Sequence, residues 1–489
     1  MSSVERLGVE RLGVERDGAQ RLGPTEASAG EAVPGASLRG WLDHLQRHDR
    51  LAIAREGVAL KFELAAIAKR LDGVKATFFP KPGGHPVSVV SGLVSDRGWI
   101  AESMGVGEAA LLEKFQHAAL NPVACREVKA APVQEHVRRD VDLAKLLPLP
   151  THNELDHGPY ITAGIAITRN PKTRIQNVSI HRLELTGRNR LGALLLQRTT
   201  LYYQQMVEQD GKDLPIAIAV GVDPLTLLAS QAIMPNDCDE LEIAGALHGR
   251  PLDVVKCVTS DIRVPAEAEI VLEGRILANV REPEGPFGEF PQYYGPRGDR
   301  HVIEIDAVTH RTSPLFHTIS GGGLEHLMLG AIPREATMLA HLRRTFPNVT
   351  DVHLSRGGVC RYHLCVQLKK RFEGEAKNVI LSAFGGHYDI KQVVVVDPDV
   401  NIHDAAKVEW AIATRAQADR DLVIVANAQG SRLDPSSNNG VSAKMGIDAT
   451  IPLDAPEFRY KRIRIPGEDS VDLDAVIAAH DNRGWRQYT

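Results

Sequence analysis

Two segments carry residue types able to do acid–base and anion chemistry. The first is Glu282-Pro283-Glu284-Gly285-Pro286-Phe287-Gly288-Glu289-Phe290. Its crowding of Gly and Pro predicts an irregular loop rather than a helix or strand, and such loops carry sites. On a loop Glu284 and Glu289 can sit in different environments. One stays ionised while the other is pushed to a raised pKa, which is how paired carboxylates become base and acid. Spacing alone favours a plainer reading, a solvated acidic turn. The second segment is Gln176-Asn177-Val178-Ser179-Ile180-His181-Arg182-Leu183. Its alternation predicts a half-buried strand, with Asn177, Ser179 and His181 on one face and Val178, Ile180 and Arg182 on the other. An Arg among Val, Ile and Leu needs a buried anion. A protein carboxylate and a substrate carboxylate meet that need equally well.

Weaker signals lie elsewhere. Asp237-Cys238-Asp239-Glu240-Leu241-Glu242 opens a helix, where acids favour the dipole and need no other purpose; one of them could also ligate a hard cation. Gly321-Gly322-Gly323 lacks the Lys or the spacing of a phosphate loop. His85, His152, His157, His326 and His387 form no HExxH pattern and read as structural or solvated.

The elements that must position these residues follow from periodicity. Val4–Gly8 recurs twice with a period of five, which fits neither helix nor strand. With the Gly-, Ala- and Pro-rich run after it, residues 1–37 read as a disordered tail. Leu38, Trp41, Leu42 and Leu45 recur at helical spacing, as do Leu64, Ile67 and Leu71, and Val87–Val90 reads as a strand, so residues 38–125 form a small α/β unit. Leu146-Leu147-Pro148-Leu149-Pro150 reads as a linker. Strand-like runs at Ile161–Thr168, Ile175–Leu185, Leu191–Gln197, Ile216–Val222, Val254–Thr259, Ile270–Leu277 and Val302–Val308 follow, interrupted by helices at Leu201–Glu208 and Glu240–Leu247. They predict a β-barrel with inserted helices. Helices near Arg334–Arg344, Ala376–Phe384 and Ala405–Thr414 then alternate with strands Val394–Val396 and Leu422–Val425, a third α/β unit.

Composition excludes several classes. The chain has 489 residues, 43% of them apolar and 24% charged, enough for large cores and too apolar for a disordered protein. A net charge of −5 leaves no global basic field for nucleic acid. No apolar run is long enough to span a membrane, and no secretory h-region is visible. Five dispersed Cys fit reduced, buried thiols in a cytoplasmic protein.

Taken together, the motifs resemble the UbiD family of decarboxylases, which use prenylated FMN. The resemblance runs from Leu38 to Ile465. It rests on Leu146–His152 with Gly158-Pro159-Tyr160-Ile161-Thr162, on Asn177–Arg182, on Val264-Pro265-Ala266 with Glu269–Gly274, on Glu284–Glu289 with Tyr293-Tyr294-Gly295-Pro296, on Gly430–Ser436 and on Lys444–Thr450. It implies an N-terminal α/β domain (residues 38–125), a central split β-barrel holding the flavin (126–315) and a C-terminal α/β domain with an oligomerisation role (316–489). By the same resemblance, Arg182 anchors the substrate carboxylate and contacts the flavin, Glu289 donates the proton that replaces CO2, and Glu284 pairs with Arg182. Asn177 and Glu240 ligate a divalent ion, usually Mn2+, on the FMN phosphate. Ser179, Ile180, Gln197 and Ser230 fall where family members touch the cofactor or an accompanying K+. Tyr293, Tyr294, Leu324, His326 and the Leu433 region are suspected pocket residues. The implied substrate is an aromatic or heteroaromatic carboxylic acid. The implied partners are a flavin prenyltransferase as cofactor supplier and further copies of this chain, as a homodimer or larger, with no nucleic acid and no membrane. The sequence departs from the family in one place: Leu196-Gln197-Arg198-Thr199-Thr200 has no His where a metal ligand is expected. Asn177 and Arg182 also lie on opposite faces of a regular strand, so both reach the cofactor only if the strand bends, ends or bulges between them. Two alternatives stay open: a flavin oxidoreductase, and a flavin-binding subunit without turnover.

Overall fold

A computed structural model describes residues 33–476, with 197 and 457 left out. Most of the expected N-terminal tail therefore lies outside the described residues, but its last part does not. Pro34–Ala36 form a turn in which Gly35 is buried, because a Cβ there would meet Ser103 at 2.7 Å. Ser37 then caps helix Leu38–Arg47 by accepting from the Gly40 N–H at 3.1 Å. Leu38, Trp41, Leu42 and Leu45 are all buried, so the helical spacing identified the core face.

The N-terminal sheet runs Leu51–Ile53, Ala76–Phe79, Ser88–Ser91 and takes its fourth strand, Leu315–His317, from beyond the central region. The stretch expected as a linker is not one. Leu147 and Leu149 are buried in the core shared by the first two units.

The central region is a half-barrel of nine mainly antiparallel strands. Its spine is the pairing of the long strand Ile270–Glu284 with Gly298–His310. Leu214–Val220, Ile165–Arg169 and Gln176–Ile180 extend it on one side; Arg190–Ala193, Leu183–Leu185 and Tyr160–Ile161 extend it on the other. The segment near Val254 does not join. Asp253–Lys256 pairs instead with Arg126–Val128 and Arg263–Pro265 in a separate small sheet.

The C-terminal unit is a five-stranded sheet ordered Val349–Leu354, His363–Leu368, Gln392–Val396, Val441–Ala449, Leu422–Gln429. Its first helix is Leu324–Arg343, beginning ten residues before the expected Arg334. Pro333 lies inside it and hid the first turns from a reading that stops helices at Pro. Among the described residues, no helix is long and apolar enough to cross a membrane.

Candidate active site

The geometric tension at Asn177 and Arg182 is resolved by the end of a strand. Gln176–Ile180 stops one residue before His181, and the next strand starts at Leu183. The first forms one end of the half-barrel sheet and the second lies near the other, so His181 and Arg182 carry the chain across the open side. There Arg182 donates from Nε and Nη2 to both oxygens of Glu284, at 2.9 and 2.8 Å, and from Nη1 to Glu289. All three side chains are buried.

The acidic segment is only partly the loop its composition suggests. Glu282–Glu284 finish the long strand, with Glu284 opposite Gly298. Pro283 is tolerated because the neighbouring strand Leu214–Val220 runs beside Ile270–Ile276 only, leaving that side of the strand end unpaired. The chain then turns, and Phe287–Gly288 pairs with Tyr294–Gly295. Glu289 sits in the loop of this hairpin, its N–H donating to the Tyr293 carbonyl at 2.9 Å. Burial pushes the Glu289 carboxyl above its usual range, against the pull of Arg182. Two glycines make room. A Cβ on Gly295 would lie 2.9 Å from Arg182 Nη1, and one on Gly192 would lie 3.1 Å from Glu284 Cβ.

Asn177 and Ser179 gather with His181, expected on the same strand face, and with Thr200. Asn177 Nδ2 donates to Thr200 Oγ1 at 3.3 Å. Ser179 Oγ lies 3.2 Å from Thr200 Oγ1 and 2.9 Å from His181 Nε2. Glu240 caps this group through the Val178 N–H at 2.7 Å, and burial raises its carboxyl to about 8. Among the described residues, no three His, Cys, Asp or Glu side chains converge on a metal position. The donors present are one carboxylate, one amide, hydroxyls and one imidazole. They fit a hard cation that also has phosphate oxygens to bind, since a buried carboxylate without a counter-ion gains from one. Ile180 packs against the core beside this group. The Ser230 hydroxyl donates to the Leu227 carbonyl at 2.6 Å, at the end of a buried helix. Gln197 lies outside the described residues.

Of the suspected pocket residues, Tyr293 and Tyr294 are exposed, and Tyr294 accepts from the Leu155 N–H at 3.2 Å. Leu324 opens the long helix, its N–H donating to Asp72 at 2.7 Å. Leu433 packs at the edge of the main core. His326 meets Phe290 edge-on at 6.2 Å, and burial lowers its imidazole to about 3. Phe290, the neighbour of Glu289 in sequence, leads to a cluster not seen beforehand. Arg361 lies over its ring at 5.2 Å, is 8% exposed, and donates to the carbonyls of His326, Leu327 and Cys360. Arg334, also buried, donates to Asp389 at 3.3 Å. Arg198 reaches the Tyr388 hydroxyl at 3.1 Å, and Lys444 Nζ donates to the Tyr388 and Ile390 carbonyls. Burial and mutual repulsion lower the Arg361 guanidinium to about 9. The signal that could have found this cluster, basic residues spread from 198 to 444, has no short-range pattern.

Sequence and structure comparisons identify the family. The 3-octaprenyl-4-hydroxybenzoate carboxy-lyase (UbiD) N-terminal domain model matches residues 42–119. Its Rift-related central domain matches 126–324 and its C-terminal domain 327–449. The chain is a decarboxylase by class, and it belongs to the UbiD family of carboxy-lyases. Anhydromevalonate phosphate decarboxylase of Methanothermobacter thermautotrophicus is 37% identical over 434 residues, covering 87% of this chain and 99% of that protein. The UbiD-class enzyme HmfF from Pelotomaculum thermopropionicum, in complex with FMN, is 51% identical, with a TM-score of 0.89 over 90% of this chain and 100% of that one. An evolved dimeric form of HmfF in complex with prFMN is 48% identical, with a TM-score of 0.85 over the same shares, 90% and 100%.

Proposed function

We propose that this protein removes CO2, reversibly and without net oxidation, from an aromatic or heteroaromatic carboxylic acid with the help of prenylated FMN. One observation carries the reading: a single buried guanidinium, Arg182, held between two buried carboxylates of unlike environment, Glu284 and Glu289. Arg182 anchors the departing carboxylate. Glu284 orients Arg182 through both oxygens. Glu289, whose carboxyl burial pushes above its usual range, donates the proton that takes the place of CO2. Loss of CO2 from an sp2 carbon leaves a carbanion that side chains cannot stabilise, and prenylated FMN, when bound, supplies the electron sink. Asn177, Ser179, Ile180, Gln197, Ser230 and Glu240 would hold the cofactor's phosphate end in this reading, Asn177 and Glu240 by ligating Mn2+, with K+ alongside.

The buried cations beyond Phe290 support a narrower substrate. Arg361 makes no ion pair among the described residues, and Arg334 shares one carboxylate, Asp389. A substrate bearing a second anionic group, remote from the carboxylate it loses, would neutralise them. The relative named for anhydromevalonate phosphate supports an anionic far end of this kind. We take the protein to act as a homodimer or larger assembly through residues 316–489, where the outer strand Leu422–Gln429 exposes Ile424. The test is CO2 release from matched acids with and without a second carboxylate or phosphate, using protein co-expressed with a flavin prenyltransferase. Protein made without that enzyme should bind FMN and stay inactive. Full activity with unmodified FMN would overturn the cofactor reading.

A further inference from the structure

A third buried carboxylate stands behind the site. Glu184 is 1% exposed and faces Tyr160 directly across an antiparallel strand pair. The Tyr160 hydroxyl lies 3.0 Å from Glu184 Oε2 and 3.2 Å from Glu284 Oε1, so one hydrogen is shared between two carboxylates. Glu184 also accepts from the Gly285 N–H at 2.7 Å, in the turn between Glu284 and Glu289. Its other oxygen lies 2.5 Å from Nδ1 of His157, whose side chain is 49% exposed and whose N–H donates to the Pro286 carbonyl of the same turn. The charged groups facing this network are Arg182, bound to Glu284 and Glu289; Arg300, 4.0 Å from Glu284; Arg297, whose Nη1 donates to the Gly285 carbonyl at 3.3 Å; and Asp156, which accepts from the Gly288 N–H at 2.8 Å. Glu284 and Glu289 thus share the guanidinium of Arg182, whose side chain is 7% exposed, Glu184 is linked to Glu284 through the Tyr160 hydroxyl, and His157 can add charge only when protonated. A low-dielectric cluster with that surplus of negative charge retains a proton.

We propose that Glu184 is a positioning residue for the decarboxylation reaction: with Tyr160 as shared donor and His157 as its solvent-facing partner, it aims Glu284 and keeps a proton resident on Glu289. The proposal rests on the decarboxylase reading for its consequence but not for its test. The readout is the carboxyl band of Glu289 in the infrared spectrum of the flavin-loaded protein, identified by its loss in Glu289→Gln and titrated with pH. In Glu184→Gln one buried negative charge is gone, so Glu289 should ionise at a pH lower by half a unit or more. His157→Gln, a change at a half-exposed position that keeps the packing, removes the partner of Glu184 that can become a cation and should move the titration the other way. Tyr160→Phe should reduce the effect of Glu184→Gln by more than half, because the coupling passes through the hydroxyl. With an active substrate, the alkaline limb of kcat/KM should shift in the same directions. A Glu289 titration that stays in place in both Glu184→Gln and His157→Gln would overturn the proposal, and if Glu184→Gln does not fold, the His157→Gln arm alone decides. Absence of CO2 release from every acid tried would count against the decarboxylase reading instead, without touching the infrared result.

Discussion

At the scale of single residues, the chemistry turns on how burial divides two glutamates. Glu289 is held above the usual carboxylate range by desolvation, although Arg182 pulls it down. A general acid must be protonated to act, so activity should be full at low pH and fall as pH rises through the raised pKa of Glu289. Glu289→Gln keeps size and hydrogen bonding but has no transferable proton. Turnover should fall by about two orders of magnitude or more, the usual scale for a general acid, with flavin content unchanged. Exchange of the substrate's C–H with solvent deuterium should fall in parallel, since it uses the same proton. If Glu284→Gln abolished that exchange and Glu289→Gln spared it, the two roles would be reversed. The residues around these glutamates were harder to read. Glu184 and Tyr160 meet because their strands pair, a contact between positions 24 apart that no local pattern marks.

At the scale of elements, two features decide whether Arg182 can work. One is the end of the strand at Ile180, which frees Arg182 from the strand's alternation and lets it reach Glu284 and Glu289. The other is the close approach of the Tyr294–Gly295 strand. Gly295→Ala would push a methyl to 2.9 Å from Arg182 Nη1. We expect kcat/KM to fall roughly tenfold or more, equivalent to about 1.4 kcal/mol of lost transition-state stabilisation, with the melting temperature nearly unchanged. A fully active variant would mean that Arg182 is not held where it must act. The helix Thr199–Glu208 brings Thr200, not Arg198, into the Asn177–Ser179–His181 group, while Arg198 turns to Tyr388. Metal should therefore be weakly held in the native protein. Thr200→His should raise manganese occupancy, measured by elemental analysis after dialysis, and Arg198→His should not. Stoichiometric, tightly held manganese in the unaltered protein would contradict this.

At the scale of the whole molecule, the N- and C-terminal units are joined through a buried carboxylate rather than merely strung along the chain. Glu325, at the start of the long C-terminal helix, accepts from the N–H groups of Gly92, Leu93 and Val94 and lies 3.1 Å from His317 Nε2. That carboxylate joins an N-terminal loop, the crossover strand Leu315–His317 and the C-terminal helix. Glu325→Ala would leave buried donors unsatisfied, at a cost on the order of 3 kcal/mol. Urea unfolding should show that loss as a lower midpoint. A variant as stable as the parent would show that the helix start is held by packing alone.

What the sequence by itself determined was whatever depends on near neighbours. The helix faces of Leu38–Leu45, most central strands and the order of units are written in periods of two and 3.6, and the spaced motifs identify the family. Residue type and local setting drew attention to Arg182, Glu284 and Glu289, but spacing alone favoured a solvated turn for the acids, and only the family resemblance gave the three their roles. Only the tertiary structure decided which of these meet. Strand register puts Glu184 against Tyr160, the broken strand sends Arg182 across the open sheet, and packing of the C-terminal unit gathers Arg334, Arg361 and Lys444 around Asp389. Those contacts join residues tens to hundreds of positions apart. The free energy that selects them comes from burying whole sheets and helices together, which no short window of sequence contains.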